Sequence, residues 1–114
     1  MKTASLTNDI VYHKKRPTIQ VLFETETGKE IRIAFKKDQV MKEHKTPFPI
    51  VVEIFEGSID FGVNGKLHSL HKGDLVALEG GVPHDLTAIK DSIVRLSLNK
   101  ADTAKRVEDV AKNS

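Results

Sequence analysis

Asp38 to Gly57 reads DQVMKEHKTPFPIVVEIFEG, and Gly73 to His84 reads GDLVALEGGVPH. Each stretch holds a short apolar segment of β character beside glycine punctuation. Between them, Ile59, Phe61 and Val63 alternate with other residues and run into Asn64-Gly65. That dipeptide is the strongest short hairpin signal, because both residues tolerate positive φ. Leu67 and Leu70 then lead back towards the turn Lys72-Gly73-Asp74.

The same period of two extends on both sides. Ile19, Val21 and Phe23 alternate with Gln20, Leu22 and Glu24, and Thr27-Gly28 supplies a turn. Ile31, Ile33 and Phe35 alternate with Arg32 and Ala34, the mark of strands with one buried face. Ile50 to Phe55 is nearly all apolar, which predicts a strand covered on both faces. Leu75 to Leu78, Leu86 to Ile89 and Ile93 to Leu98 complete about nine or ten strands, the spacing of an all-β barrel or sandwich. Residues 1–16 read as an N-terminal arm, in which Ile10-Val11-Tyr12 is a candidate strand against a neighbouring subunit. Residues 17–99 form the barrel, and 100–114 change period. Ala104, Val107, Val110 and Ala111 recur at helical spacing, with Asp102 as the expected N-cap. Lys105 with Asp109 and Glu108 with Lys112 are i,i+4 pairs worth ~0.2–0.5 kcal/mol each. So short a helix must dock on the barrel or on a partner, or fray.

Over residues 17–99 this layout resembles the small single-domain members of the cupin superfamily. The family's first motif reads Gly, five residues, His-x-His, three or four residues, Glu, six residues, Gly. Here Asp38, His44, Thr46, Ile50 and Gly57 stand at those places. The second motif reads Gly, five residues, Pro-x-Gly, two residues, His, and Gly73, Glu79, Gly81 and His84 fill it. The resemblance implies an all-β, cupin-type double-stranded β-helix, a jelly-roll barrel, with a short C-terminal α-helix. It also places His44, Thr46, Ile50 and His84 inside the barrel near its open end, as ligand-binding residues. Two of the four usual metal ligands are replaced, by Thr46 and Ile50. His44 and His84 then either hold a divalent iron, nickel or zinc ion with water, or line a metal-free pocket for an organic molecule. Non-haem iron sites commonly pair two His with a carboxylate. Ile50 cannot supply one, Glu43 and Asp85 neighbour the proposed ligands and face the other way in regular strands, and Glu79 sits at a rim turn. Pro47 and Pro49 suit a barrel rim.

Other polar residues carry less. His68 and His71 lie three apart on one strand, which turns them to opposite faces. His13 belongs to the arm. Arg95 faces outward by default, and would favour an anionic ligand if it faced in.

The chain of 114 residues, with 39% hydrophobic and 30% charged residues and a net charge of +2, predicts one globular domain. The basic run Lys14-Lys15-Arg16 is a solvated surface run, so no nucleic-acid partner is expected. The absence of cysteine excludes disulfides, thiolate metal sites and cysteine nucleophiles. No apolar stretch approaches the ~20 residues that span a bilayer, so no membrane partner is expected. The first five residues lack the apolar core of a secretory signal, and the expected location is cytoplasmic. No catalytic triad order, phosphate loop or dinucleotide fingerprint occurs.

Three functions remain from the sequence. The first is a small binding protein for an organic molecule, with or without a metal. The second is a metal-dependent enzyme of dioxygenase or isomerase type. The third is a sensory or assembly subunit that works through a partner protein. Outward Val51 and Phe55 with exposed strand edges predict a homodimer.

Overall fold

The computed structural model describes residues 1–114 and bears out the all-β reading. The strands are β1 (Thr18–Glu24), β2 (Gly28–Phe35), β3 (Val40–His44), β4 (Ile50–Glu56) and β5 (Ser58–Val63). They continue as β6 (Lys66–His71), β7 (Leu75–Leu78), β8 (His84–Ala88) and β9 (Ser92–Asn99), followed by α1 (Ala104–Lys112). Two antiparallel sheets face each other, one ordered β1-β2-β9-β4-β7 and the other β3-β8-β5-β6.

Strand parity fills the space between them. Ile31, Ile33 and Phe35 of β2, Ile50, Val52 and Ile54 of β4, and Val94, Leu96 and Leu98 of β9 all point inward. Ile59, Phe61, Leu86 and Ala88 meet them from the smaller sheet. The turns sit where positive φ was needed: Gly57 at 95°, Asn64 at 53°, Gly65 at 75°, Gly73 at 91° and Gly81 at 82°. Asp38, in the place of a motif glycine, keeps that glycine's conformation with φ 73°, and Asp is among the few residues that tolerate it. At Gly57 there is no room either: an added Cβ would collide with the Ser92 hydroxyl.

Four expectations are corrected. β1 does not alternate throughout, because a bulge between Val21 and Phe23 shifts the register and leaves Val21 facing solvent. β4 is covered on one face only, since Val51 on the outer face is 39% exposed. Ile10-Val11-Tyr12 forms no strand. The arm is instead fastened by Arg32, whose guanidinium donates to the carbonyls of Ser5, Asn8 and Asp9 and to Gln20. That cover explains why Arg32 and Ala34, on the outer face of β2, are buried as well. Finally, the N-cap of α1 is Thr103, whose hydroxyl accepts the Arg106 N–H at 3.2 Å, and Asp102 turns inward.

The helix docks across one end of the barrel with Val107 and Ala111 buried. Full burial of a valine is worth about 1.5–3 kcal/mol, enough to hold a helix that would not form alone. Lys105 and Asp109 pair at 2.9 Å, as expected, whereas Glu108 and Lys112 form no ion pair. No helix is long and apolar enough to cross a membrane.

Candidate functional site

β3 and β8 are neighbours, and their register sets His44 opposite His84. The register shifts between Met41 and His44. In a regular strand two residues three apart face opposite ways. The irregularity turns both into the barrel, where both line one small cavity. The imidazole centroids are 4.3 Å apart with the rings inclined at 62°. The His84 ring also stacks on Phe61 at 5.7 Å.

Each ring is oriented by backbone. His44 Nδ1 lies 2.6 Å from the Lys42 carbonyl, and His84 Nδ1 lies 2.9 Å from the Val82 carbonyl. A carbonyl can only accept, so both Nδ1 atoms carry the proton and each neutral ring keeps its Nε2 lone pair. Neither Nε2 has a protein partner. Burial is the main force holding both rings neutral. It pushes His44 down to about 4, against the pull of the Lys42 carbonyl, with the His84 ring and the Arg106 guanidinium adding to the depression. His84 is lowered first by burial and then by Arg106, against its Val82 hydrogen bond.

The rest of the cavity wall is apolar and includes Ile50, Val52, Leu86 and Leu96, with Val107 and Arg106 of α1 closing it. Its volume is about 20 Å³, which is room for a single water molecule. Between α1 and β3 runs an open groove of about 590 Å³, sharing His44 and Arg106 with the cavity and adding Lys42, Glu43, Lys105 and Asp109.

Of the residues expected in the pocket, His44, Ile50 and His84 are together there. Thr46 is buried but does not line the cavity. Its hydroxyl donates to Asp102 at 2.7 Å, while its carbonyl accepts the Gly81 N–H at 2.7 Å. Asp102 takes Arg106 Nε and Nη2 at 2.7 and 2.9 Å, and the Thr103 N–H at 2.8 Å. Burial of Asp102 opposes its ionisation, but the Arg106 and Thr46 hydrogen bonds outweigh burial and hold its carboxyl below the usual range. Asp102, Arg106 and Val107 were missed as site residues. The only signal was the i,i+4 spacing of Asp102 and Arg106, and nothing in it said which surface the helix would cover.

Arg95 faces outward, next to Glu53 at 2.9 Å and Glu30 at 3.8 Å. Glu79 lines the outer surface with Val51 and Ser97. His68 and His71 are exposed, His71 resting near the Ser58 hydroxyl at 3.2 Å. No third His, Cys, Asp or Glu joins His44 and His84 in a cluster able to hold a metal. Ile50 stands where a carboxylate would be needed, and a guanidinium cation lies beside both rings. This donor set does not fit a resident divalent ion.

No protein-family model matches the sequence, and no curated protein matches it. Solved structures do match its shape. An RmlC-like cupin protein from Desulfovibrio desulfuricans superimposes with a TM-score of 0.80 at 20% identity, covering 87% of this chain and 96% of its own. A conserved protein with a double-stranded β-helix domain from Klebsiella pneumoniae gives 0.79 at 17% identity, covering 90% and 94%. A conserved protein of unknown function from Streptococcus pyogenes gives 0.74 at 19% identity, covering 90% of each chain. The chain has the cupin fold, over nearly its whole length.

Proposed function

We propose that this small cupin-fold barrel is a binding protein that takes a small, mainly apolar organic molecule carrying a hydrogen-bond donor, without a resident metal. The observation that carries this reading is the pair of neutral imidazoles. Both are locked through Nδ1 and keep Nε2 as an acceptor in a wall that is hydrocarbon apart from Arg106. A ligand hydroxyl supplies the missing donor, and Ile50 receives its apolar body where a metal ligand would have stood. The same pair is poorly suited to acid–base catalysis. A base works best with a pKa near the working pH, and His44 is held near 4.

Phenol is a suitable first probe, since it joins one donor to an apolar ring. Thermal unfolding of the untagged protein is expected to shift upward with phenol, and the shift is expected to vanish in both His44→Leu and His84→Leu. Metal analysis of the same samples supplies the opposing result. Stoichiometric iron, nickel or zinc lost in both variants would overturn the metal-free reading and reopen that of a metal-dependent enzyme.

A homodimer belongs to the same proposal. The arm is hydrogen-bonded to the outer face of the larger sheet at β1 and β2. Beyond it, Val51 is paired with Ala77 and Glu53 with Leu75, and Val51 and Leu75 remain 39% and 63% exposed. A second copy would cover that bare half. Val51→Glu is expected to convert a dimer to a monomer in sedimentation, and a wild-type monomer at high concentration would remove the idea.

A further inference from the structure

We infer that α1 is an exchangeable plug, and that its departure from the barrel mouth admits molecules to the cavity that His44 and His84 share. This rests on the binding reading above and adds the means of access. The argument begins with size. A cavity of about 20 Å³ cannot take an organic molecule, since binding pockets for drug-sized ligands run to ~300–1,000 Å³. The strand-borne walls are tied into two hydrogen-bonded sheets and are the costly part to move. The wall supplied by Val107 and Arg106 belongs to a nine-residue helix, and helices that short are marginal without docking.

The helix is fastened at both ends by few contacts. At its start Asp102 bridges Thr46, on the β3–β4 loop, to Arg106. At its end the Ser114 hydroxyl accepts the Lys42 N–H of β3 at 2.8 Å. Between these fasteners only Val107 and Ala111 are fully buried. When α1 leaves, Val107 and Arg106 leave with it, and the cavity opens to the surface beside β3, where Lys42, Glu43 and His44 remain. Displacement of Val107 by the ligand's apolar body then makes helix release and ligand binding two sides of one equilibrium.

The test needs no ligand, because a histidine reagent can report access. Diethyl pyrocarbonate modifies neutral imidazole, and peptide mass mapping reads each histidine separately. Exposed His68 serves as the internal reference for buried His84. In the wild-type protein His84 is expected to react at least ten-fold more slowly than His68. Thr46→Val removes one fastening hydrogen bond, and is expected to raise both His84 modification and α1 amide exchange by one common factor of about 5–10. Faster α1 exchange with unchanged His84 modification would overturn the plug. So would His84 modification that rises only in step with amides of the core around Ile54. Should the variant fail to fold, the wild-type protein in sub-denaturing urea gives the same decision. His84 access must then follow the shallow urea dependence of α1 rather than that of global unfolding. Failure of phenol to bind while this coupling holds would refute the ligand class and leave the plug in place.

Discussion

The two ends of the barrel are made from the same strands, yet one is sealed by packing and the other by a removable element. At the sealed end Phe35, Ile54 and Ile59 are 0% exposed. Ser92 locks the neighbouring turn there, its hydroxyl accepting the Ser58 N–H at 3.0 Å and lying 2.7 Å from the Lys90 carbonyl. At the mouth the side chains are two imidazoles, and the closing hydrocarbon comes from α1. A barrel can therefore keep its stability at one end and concentrate its chemistry at the other. The difference can be broken most visibly by truncating a large side chain. Phe35→Ala is expected to cost about 3–5 kcal/mol, read as a lower midpoint in urea. Ile50→Ala beside the existing cavity is expected to fall nearer 2 kcal/mol, at the low end for buried aliphatic truncations. Equal losses would mean that the mouth is packed as tightly as the sealed end.

Asp102 is the next largest lever, and acts on the mouth alone. Asp102→Ala leaves Arg106 and Thr46 without their shared acceptor, and is expected to cost about 2 kcal/mol of α1 docking. The figure stays below that for a fully buried ion pair because Arg106 keeps some access to water. Native-state amide exchange should show the loss across α1 and leave the amides around Ile54 unchanged.

The sealed end and the turns were already written in the sequence. Alternation in β2 and β9, the Asn64-Gly65 hairpin and the positions of Gly57, Gly73 and Gly81 are local patterns, and local patterns survive folding. The mouth was legible only through the family resemblance, which brought His44, Ile50 and His84 together; parity does not record the events that join its other parts. The register shift after Met41 turns His44 inward. The loop after it aims Thr46 at a residue 56 positions later. Asp102 offered a sound N-cap signature, but the buried bridge to Thr46 and Arg106 claimed its carboxylate and Thr103 took the cap. The outer face of β2 shows the converse: Arg32 looks like a solvent residue until the arm folds over it.

Acid offers a third way to separate the ends, because the mouth holds two depressed histidines. An unfolded histidine binds its proton near 6.5, whereas folded His44 binds it at about 4 and His84 also below 6.5. Between those values the unfolded chain carries more protons, so stability present above 6.5 is lost as the pH falls towards 4. Allowing for the partial solvation of His44, the loss is expected to be about 1–2 kcal/mol. Asp102 is lowered from 3.8, so its own contribution disappears only below that value, in a separate window. Urea denaturation from pH 7.5 to 4.5 measures the slope, and the double variant His44→Leu/His84→Leu should flatten it. An undiminished slope in that variant would place the titrating groups elsewhere.

The smallest expected effect tests whether the mouth is governed by the start of α1 or by the helix as a whole. Thr103→Ala removes the hydroxyl that accepts the Arg106 N–H, a change worth about 1 kcal/mol for an N-cap. That amounts to roughly five-fold faster exchange of the α1 amides. Lys105→Ala breaks the Lys105–Asp109 pair on the solvent side, and exposed pairs of this spacing contribute only ~0.3–0.5 kcal/mol. If the cap matters more than the pair, docking is set where Thr103 adjoins the Asp102 bridge, and His84 should become more reactive in Thr103→Ala by the same factor as α1 exchange. If Lys105→Ala has as large an effect, the stability of the helix itself decides whether the mouth is closed, and the fastening at Asp102 is secondary.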